Sequence, residues 1–375
     1  MKIAMIGWEY PPHIIGGLGK HCYNLCKNLL KNPKNEIHFF SPQFFDEKSY
    51  TDGNFHMHKI PGIVKGKIYS HYSMNENIGS YDEKISKIID DIKPDIVHGH
   101  DWVSIDSLKS ASEKNYKTIL TLHSLDYMRS GLKTSISDLE KEGCEIADKI
   151  ITVSKWMKNA IIEKYNIKPK KIEVIYNGIE KFDIGQNDEE KSKKLKQILG
   201  LEGKDIVLYI GRMTIQKGIE YILYAAKKMN RDNTTFIFAG NGNTDNLKSF
   251  AKSLGVDAKF FGFIPEDEKK LYYMMADVFV SPSLYEPFGI TIGEALSVGT
   301  PVLATQSGIT ELLKDGKDFI LFEKKNSDDL ATKLSMLLNN KELAHNIGEN
   351  GKKTVEKISW KDCALKTEKL YRRLI

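Results

Sequence analysis

The chain has 375 residues, of which 41% are hydrophobic and 28% charged, and its 55 Lys+Arg against 50 Asp+Glu leave a net charge of +5. That length exceeds one ordinary core and suits two domains with a cleft. So mild and dispersed a positive charge does not argue for nucleic acid and suits a phosphorylated ligand, and no apolar run approaches the roughly 18 residues of a membrane span.

Lys2–Ile6 reads as a first buried strand and is too short for a signal-peptide core, so the protein is expected to stay in the cytoplasm. Further strands are expected at Glu36–Phe40, Asp95–His98, Lys117–Leu122, Lys149–Val153 and Lys171–Tyr176. Amphipathic helices at Leu18–Leu30, Glu83–Ile92 and Lys155–Tyr165 lie between them, the pattern of a parallel α/β sheet. A polar stretch, Lys181–Gly203, then separates this half from a second one with the same grammar. There the strands are Asp205–Ile210, Thr234–Ala239, Ala258–Phe261, Asp277–Ser281 and Pro301–Ala304, and the helices Gly218–Met229, Ile290–Val298 and Ser327–Leu338. The reading is an α/β chain with one Rossmann-like domain over residues 1–180 and another over 204–355. A last helix over 356–375 has Ser359 at its N-cap and Trp360, Leu365, Leu370 and Leu374 for burial. The four cysteines form no Cys-x-x-Cys pair and are expected as reduced thiols.

The segment Ser281-Pro-Ser-Leu-Tyr-Glu286-Pro-Phe288-Gly289-Ile290-Thr291-Ile-Gly-Glu294 runs from a buried strand through a turn into a helix. Its first helical amides, from Phe288 to Thr291, lack intrahelical acceptors and carry the positive end of the helix dipole, a natural seat for a diphosphate. Glu286 and Glu294 are eight residues apart, about 12 Å along a helical path, so one carboxylate can serve each end of a nucleotide sugar. The bland alternative makes Glu286 a turn residue and Glu294 a surface helix residue. Arg212 and Lys217 follow the first strand of the same half, where ligands of open α/β sheets bind, and would neutralise departing phosphates. Read alone, they are equally well a surface Arg and Lys near a turn. No Asp-x-Asp occurs, so no carboxylate pair for a catalytic divalent metal is apparent.

In the first half, Gly16-Gly17 between strand and helix permits close backbone approach to a ligand. His98-Gly-His100-Asp101-Trp102 and Thr121-Leu-His123 end two further strands, and Asn177-Gly178 closes the last. The two histidines of the first motif read best as satisfied structural residues, since their spacing matches no usual zinc site. Asn177-Gly178 alone reads as a turn.

Together, Gly16-Gly17, His100-Asp101-Trp102, Thr121-Leu-His123, Tyr176-Asn177-Gly178, Gly211-Arg212 with Lys217, and Glu286-Pro-Phe-Gly with Glu294 resemble the retaining family-4 glycosyltransferases of GT-B fold over almost the whole chain. The resemblance implies two Rossmann-like domains facing across a cleft. It implies that Arg212 and Lys217 bind the donor diphosphate, that Glu286 contacts the transferred sugar and Glu294 the ribose, and that Gly17 lets the first domain close on the phosphates. His123 and Asn177 would line the sugar site, and Asp101 would lie on the acceptor side. The terminal helix would return to the first domain, and no metal or other cofactor would be needed. Glycogen and starch synthases, which extend α-glucans from ADP- or UDP-glucose, are similar in the His-Asp-Trp and Gly-Gly-Leu segments. This chain departs from them with Ile14 in place of a Lys and Phe288 in place of the bacterial Cys, and Ser307 stands where many family members have Gly. The implied partners are therefore a nucleotide sugar and a saccharide or glucan acceptor, with donor base and acceptor open. A sugar-nucleotide epimerase, a glycoside hydrolase pairing Asp101 with Glu286, and a non-catalytic binding module are the competing readings. The Lys164–Lys171 cluster reads as solvated rather than membrane-docking.

Overall fold

A computed structural model describes all residues except 13, 15, 44–46 and 62–77. The chain divides into two compact units, residues 1–178 with 360–375, and residues 179–359.

The first unit is built on an eight-stranded sheet of order β3-β4-β2-β1-β5-β6-β7-β8. Its strands are β1 (Lys2–Ile6), β2 (Glu36–Pro42), β3 (Tyr50–Asp52), β4 (Phe55–Ile60), β5 (Ile96–His100), β6 (Thr118–Leu122), β7 (Lys149–Thr152) and β8 (Ile172–Val174). Every pairing is parallel except β3 with β4. Central strands such as Ile96–His100 and Thr118–Leu122 are buried along their whole length, as expected of parallel strands covered on both faces. Sequence order reverses between β1 and β5, so the loops after these two strands diverge and leave a crevice at their carboxyl ends.

The second unit has a six-stranded parallel sheet of order β11-β10-β9-β12-β13-β14, with its switch between β9 and β12. Its strands are β9 (Asp205–Ile210), β10 (Thr234–Ala239), β11 (Ala258–Phe261), β12 (Val278–Ser281), β13 (Val302–Ala304) and β14 (Ile320–Leu321). Helices Ile219–Met229 and Ser327–Asn339 lay Ile222, Leu223, Leu330 and Leu334 on Val207, Phe236, Phe238 and Leu303. Each such fully buried side chain is worth about 1.5–3 kcal/mol. The polar stretch after Lys181 contains a helix, Asp188–Ile198, opened by three acidic residues that suit its dipole.

The terminal helix, Trp360–Arg372, packs on Gly17–Leu29 within the first unit. Its buried face is Trp360, Cys363, Ala364, Thr367, Leu370 and Tyr371. The sequence reading put Leu365 on that face. It is exposed, because the stripe at helical spacing runs through 360, 364, 367 and 371 and position 365 falls opposite. All four cysteines are buried free thiols.

Candidate active site

In the second unit, β9 delivers the loop Gly211–Gly218 to the switch point and β12 delivers the turn Pro282–Glu286 beside it. The two are laced together: the Leu284 amide donates to the Gln216 carbonyl at 2.9 Å. Gly218 has φ +60, and a Cβ there would sit 2.4 Å from the Pro282 carbonyl oxygen, so only glycine allows the approach. This brings Lys217 Nζ to 2.6 Å from Glu286 Oε2, to which Ser283 Oγ also donates at 3.2 Å. Lys217 is thus engaged by Glu286 rather than projecting as a bare phosphate-binding cation. Arg212 is exposed, its carbonyl held by the Tyr209 phenol at 2.9 Å.

The helix beyond the turn is Ile290–Ser297, with Gly289 at its N-cap in the left-handed region (φ 100) and no side-chain cap. The Ile292 and Gly293 amides both donate to the Gly289 carbonyl, which leaves those of Ile290 and Thr291, ahead of them, as the amides a helix start cannot satisfy internally. Phe288 is buried ahead of the cap. Glu294 is 1% exposed and accepts from the Tyr273 hydroxyl at 2.8 Å, which removes the reading of a surface helix residue. Lys324, just beyond β14, was not anticipated: it is exposed, and its ammonium lies within the field of the Glu286 carboxylate.

In the first unit, Gly16 caps helix Gly17–Leu29, and its amide donates to Glu9 Oε2 at 3.0 Å. A Cβ at Gly16 would meet nothing within 4 Å, so the protein's own packing does not require glycine there. Asn177 is buried, and its Oδ1 is 2.8 Å from His21 Nδ1. The His21 ring lies 4.4 Å from that of His123, and His123 Nε2 is 3.0 Å from His100 Nδ1. The structure therefore joins the anticipated His123 and Asn177 to His21 and His100. His21 was missed because on an amphipathic helix it looks like one more core position. The donor atoms of His21, His100 and His123 lie within 4.8 Å of one another, a geometry able to hold a metal ion.

His98 is a satisfied structural histidine, bonded to the Tyr371 hydroxyl and Thr121 Oγ1, both at 2.6 Å. His100 departs from that reading, because its Nε2, like that of His21, is buried with no hydrogen-bond partner among the described residues. Burial lowers His21 to about 4 and His98 to about 3, and holds His100 and His123 well below the usual range, so all four rings are neutral at pH 7. Asp101 sits at φ 56, and its Oδ1 accepts the His123 amide at 2.6 Å. Burial raises its pKa to about 7. Asp101 is thus first a brace for the chain at His123. The rings of Trp8 and Trp102 meet edge-on beside it, centroids 6.4 Å apart.

Two units on largely parallel sheets, with polar side chains gathered beyond the strand ends and a helix start at the second switch point, are those of a GT-B fold. Residues 15–181 match Glycosyltransferase Family 4 and residues 190–354 match Glycosyl transferases group 1. An uncharacterized glycosyltransferase of Methanocaldococcus jannaschii is 34% identical over 99% of this chain and 98% of its own. The chain accordingly belongs to the family-4 glycosyltransferases. It is also similar to an alpha-maltose-1-phosphate synthase of Mycolicibacterium smegmatis, 26% identical over the whole of both. Among solved structures, sucrose-phosphate synthase from Thermosynechococcus elongatus superposes with TM-score 0.83 at 20% identity, covering 100% of this chain and 98% of that one. Anabaena HepE in complex with UDP-glucose (TM-score 0.77, 18% identity, 100% of both chains) shares the fold. So does the catalytic domain of starch synthase IV from Arabidopsis thaliana bound to ADP and acarbose (TM-score 0.77, 18% identity, 99% and 98%). The epimerase alternative finds no support among these relatives. No helix of the described residues is long and apolar enough to cross a membrane.

Proposed function

We propose that the protein moves a hexosyl group, with retention and without a catalytic metal, from a nucleotide-diphosphate hexose of the UDP- or ADP-glucose type to a saccharide acceptor, as in α-glucan extension. The observation that carries the reading is the Lys217–Glu286 pair at 2.6 Å beside an uncapped helix start at the switch point. Nucleotide-bound neighbours of the same fold support the donor class.

On this reading the donor diphosphate rests against the Gly289–Thr291 amides, and Arg212 and Lys217 neutralise it. Lys217 exchanges its Glu286 partner for a phosphate oxygen, which frees Glu286 to accept from a hydroxyl of the transferred sugar. As the bond from the anomeric carbon to the phosphate oxygen breaks, negative charge grows on the departing diphosphate. Fixed dipoles and cations stabilise it with little reorganisation. Glu294 binds the ribose, with Tyr273 orienting its carboxylate. In the first unit, Gly16 and Gly17 admit the diphosphate backbone, and Asn177 and neutral His123 hydrogen-bond sugar hydroxyls. Asp101 serves the acceptor side through the His123 chain segment it braces, and Trp8 and Trp102 offer apolar ring faces to a sugar. Incubation with UDP-, ADP- and GDP-hexoses and saccharide acceptors, with released nucleotide and product anomer read by NMR, tests the proposal. An α-linked product that forms in the presence of EDTA is expected. Nucleotide release without glycosylated product, or an inverted anomer, would refute it.

A further inference from the structure

On the side of β1 away from β5 and β6, strands β2 and β4 of the first unit carry a second cluster of titratable side chains. Alternation along β2 puts Glu36 and His38 on one face, and alternation along β4 puts His56 and His58 on the same face. The parallel register sets His38 opposite His56 and Phe40 opposite His58. The His38 and His56 rings stack at 4.4 Å, 12° from parallel. Glu36 Oε1 lies 2.9 Å from His38 Nε2 and 3.6 Å from His56 Nε2.

We propose that Glu36, His38 and His56 form a binding site for a zinc-class divalent cation that ties β4 to β2. A tetrahedral zinc about 2.0–2.1 Å from each donor holds its ligands roughly 3.3 Å apart, and the two measured separations bracket that value. All three donor atoms lie within 4.8 Å of one another. Both histidines also have an outer partner on the nitrogen facing away from Glu36. His38 Nδ1 is 3.0 Å from His58 Nε2, and His56 Nδ1 is 3.1 Å from Thr51 Oγ1 on the antiparallel neighbour β3. Such partners orient rings in metal sites; here binding also requires the stacked His38 and His56 rings to splay so that both Nε2 lone pairs converge on the ion. Without the ion, His38 Nε2 carries the proton that bonds to Glu36. With it, that proton is on Nδ1 and is donated to His58 Nε2, whose own proton is on its Nδ1, so no net proton leaves the pair. The nearby Lys2 ammonium is tied to the Ile92 carbonyl at 3.0 Å, and Glu36 and His56 are partly exposed, so an ion can reach them from solvent.

The test titrates tag-free, EDTA-stripped protein with Co²⁺, reading visible d–d absorption, stoichiometry and Tm. One Co²⁺ per chain with tetrahedral bands is expected, displaced by Zn²⁺ and accompanied by a rise in Tm. Glu36→Gln and His56→Ala, both at partly exposed positions, should each abolish the bands, with folding checked by circular dichroism. Thr51→Val, which removes only the outer partner, should weaken binding about tenfold. No bound ion, or binding unchanged in Glu36→Gln and His56→Ala, would overturn the proposal. Bands lost in His123→Ala but retained in His56→Ala would do the same, by assigning the ion to the other histidine cluster.

Discussion

Replacing Lys217 with Ala removes one half of an ion pair whose side chains are 15% and 14% exposed. A pair so placed lies between the surface case, worth about 0–1 kcal/mol, and the fully buried case, where losing one partner costs about 3–5 kcal/mol. Ser283 remains bonded to Glu286, and Lys324 lies within its field, so the stranded carboxylate keeps partial compensation. A cost of about 1–3 kcal/mol follows, which lowers Tm by roughly 2–12 °C for a unit of this size. The catalytic loss is larger if Lys217 meets the departing diphosphate. Deleting one preorganised group that stabilises developing charge costs about 10²–10³ in kcat, or roughly 2.7–4 kcal/mol. Lys217→Arg keeps the charge and should recover part of the turnover. The assays are nucleotide release from the accepted donor and thermal unfolding of the same preparations. Turnover of Lys217→Ala within about threefold of the parent, a change of only ~0.65 kcal/mol in barrier, would refute the phosphate role whatever the Tm shows.

Other perturbations test separate links. Gly218→Ala puts a Cβ 2.4 Å from the Pro282 carbonyl in a left-handed backbone, so it should destabilise the second unit by about 1–3 kcal/mol in urea unfolding and lower turnover as the Lys217–Glu286 alignment is lost. Tyr371→Phe leaves His98 Nδ1 buried without its 2.6 Å partner and should cost about 1–3 kcal/mol in the same measurement. Burial raises Glu140, whose carboxylate accepts from Tyr165 at 2.7 Å, to about 8. The folded state therefore binds this proton more tightly than the unfolded chain, with its ordinary pKa near 4.3. The resulting stability is complete below about pH 4 and is lost as pH rises towards 8. Glu140→Gln should flatten that decline in Tm between pH 5 and 8, and an unchanged pH profile would contradict the assignment.

Much of the scaffold can be read from sequence where hydrophobic pattern and burial coincide. Lys2–Ile6, Asp205–Ile210, Thr234–Ala239 and Ala258–Phe261 are strands with the ends expected of them. β4 escapes because Phe55-His-Met-His-Lys-Ile alternates apolar residues with histidines on a half-covered strand next to the edge, a weaker signal than the buried central runs. Helix Lys341–Val355 escapes for another reason: Gly348 and Gly351 read locally as breakers. A Cβ at Gly348 would fall 1.9 Å from the Gly299 carbonyl, so tertiary packing, invisible to local propensity, selects glycine. At the site, the residue types and strand-end positions are legible, but the partners are not. Lys217 and Glu286 are 69 residues apart and His21 and Asn177 are 156 apart, and only strand order brings each pair together. Asp101, expected on the acceptor side, is engaged by the His123 amide because its positive φ turns the chain back on β6.

The most direct test of the central claim is a crystal structure with the nucleoside diphosphate of the accepted donor. The account predicts the diphosphate against the Gly289–Thr291 amides, with Arg212 and Lys217 on its oxygens and Lys217 drawn off Glu286. A nucleotide bound elsewhere, or one that leaves the 2.6 Å Lys217–Glu286 pair intact, would contradict it.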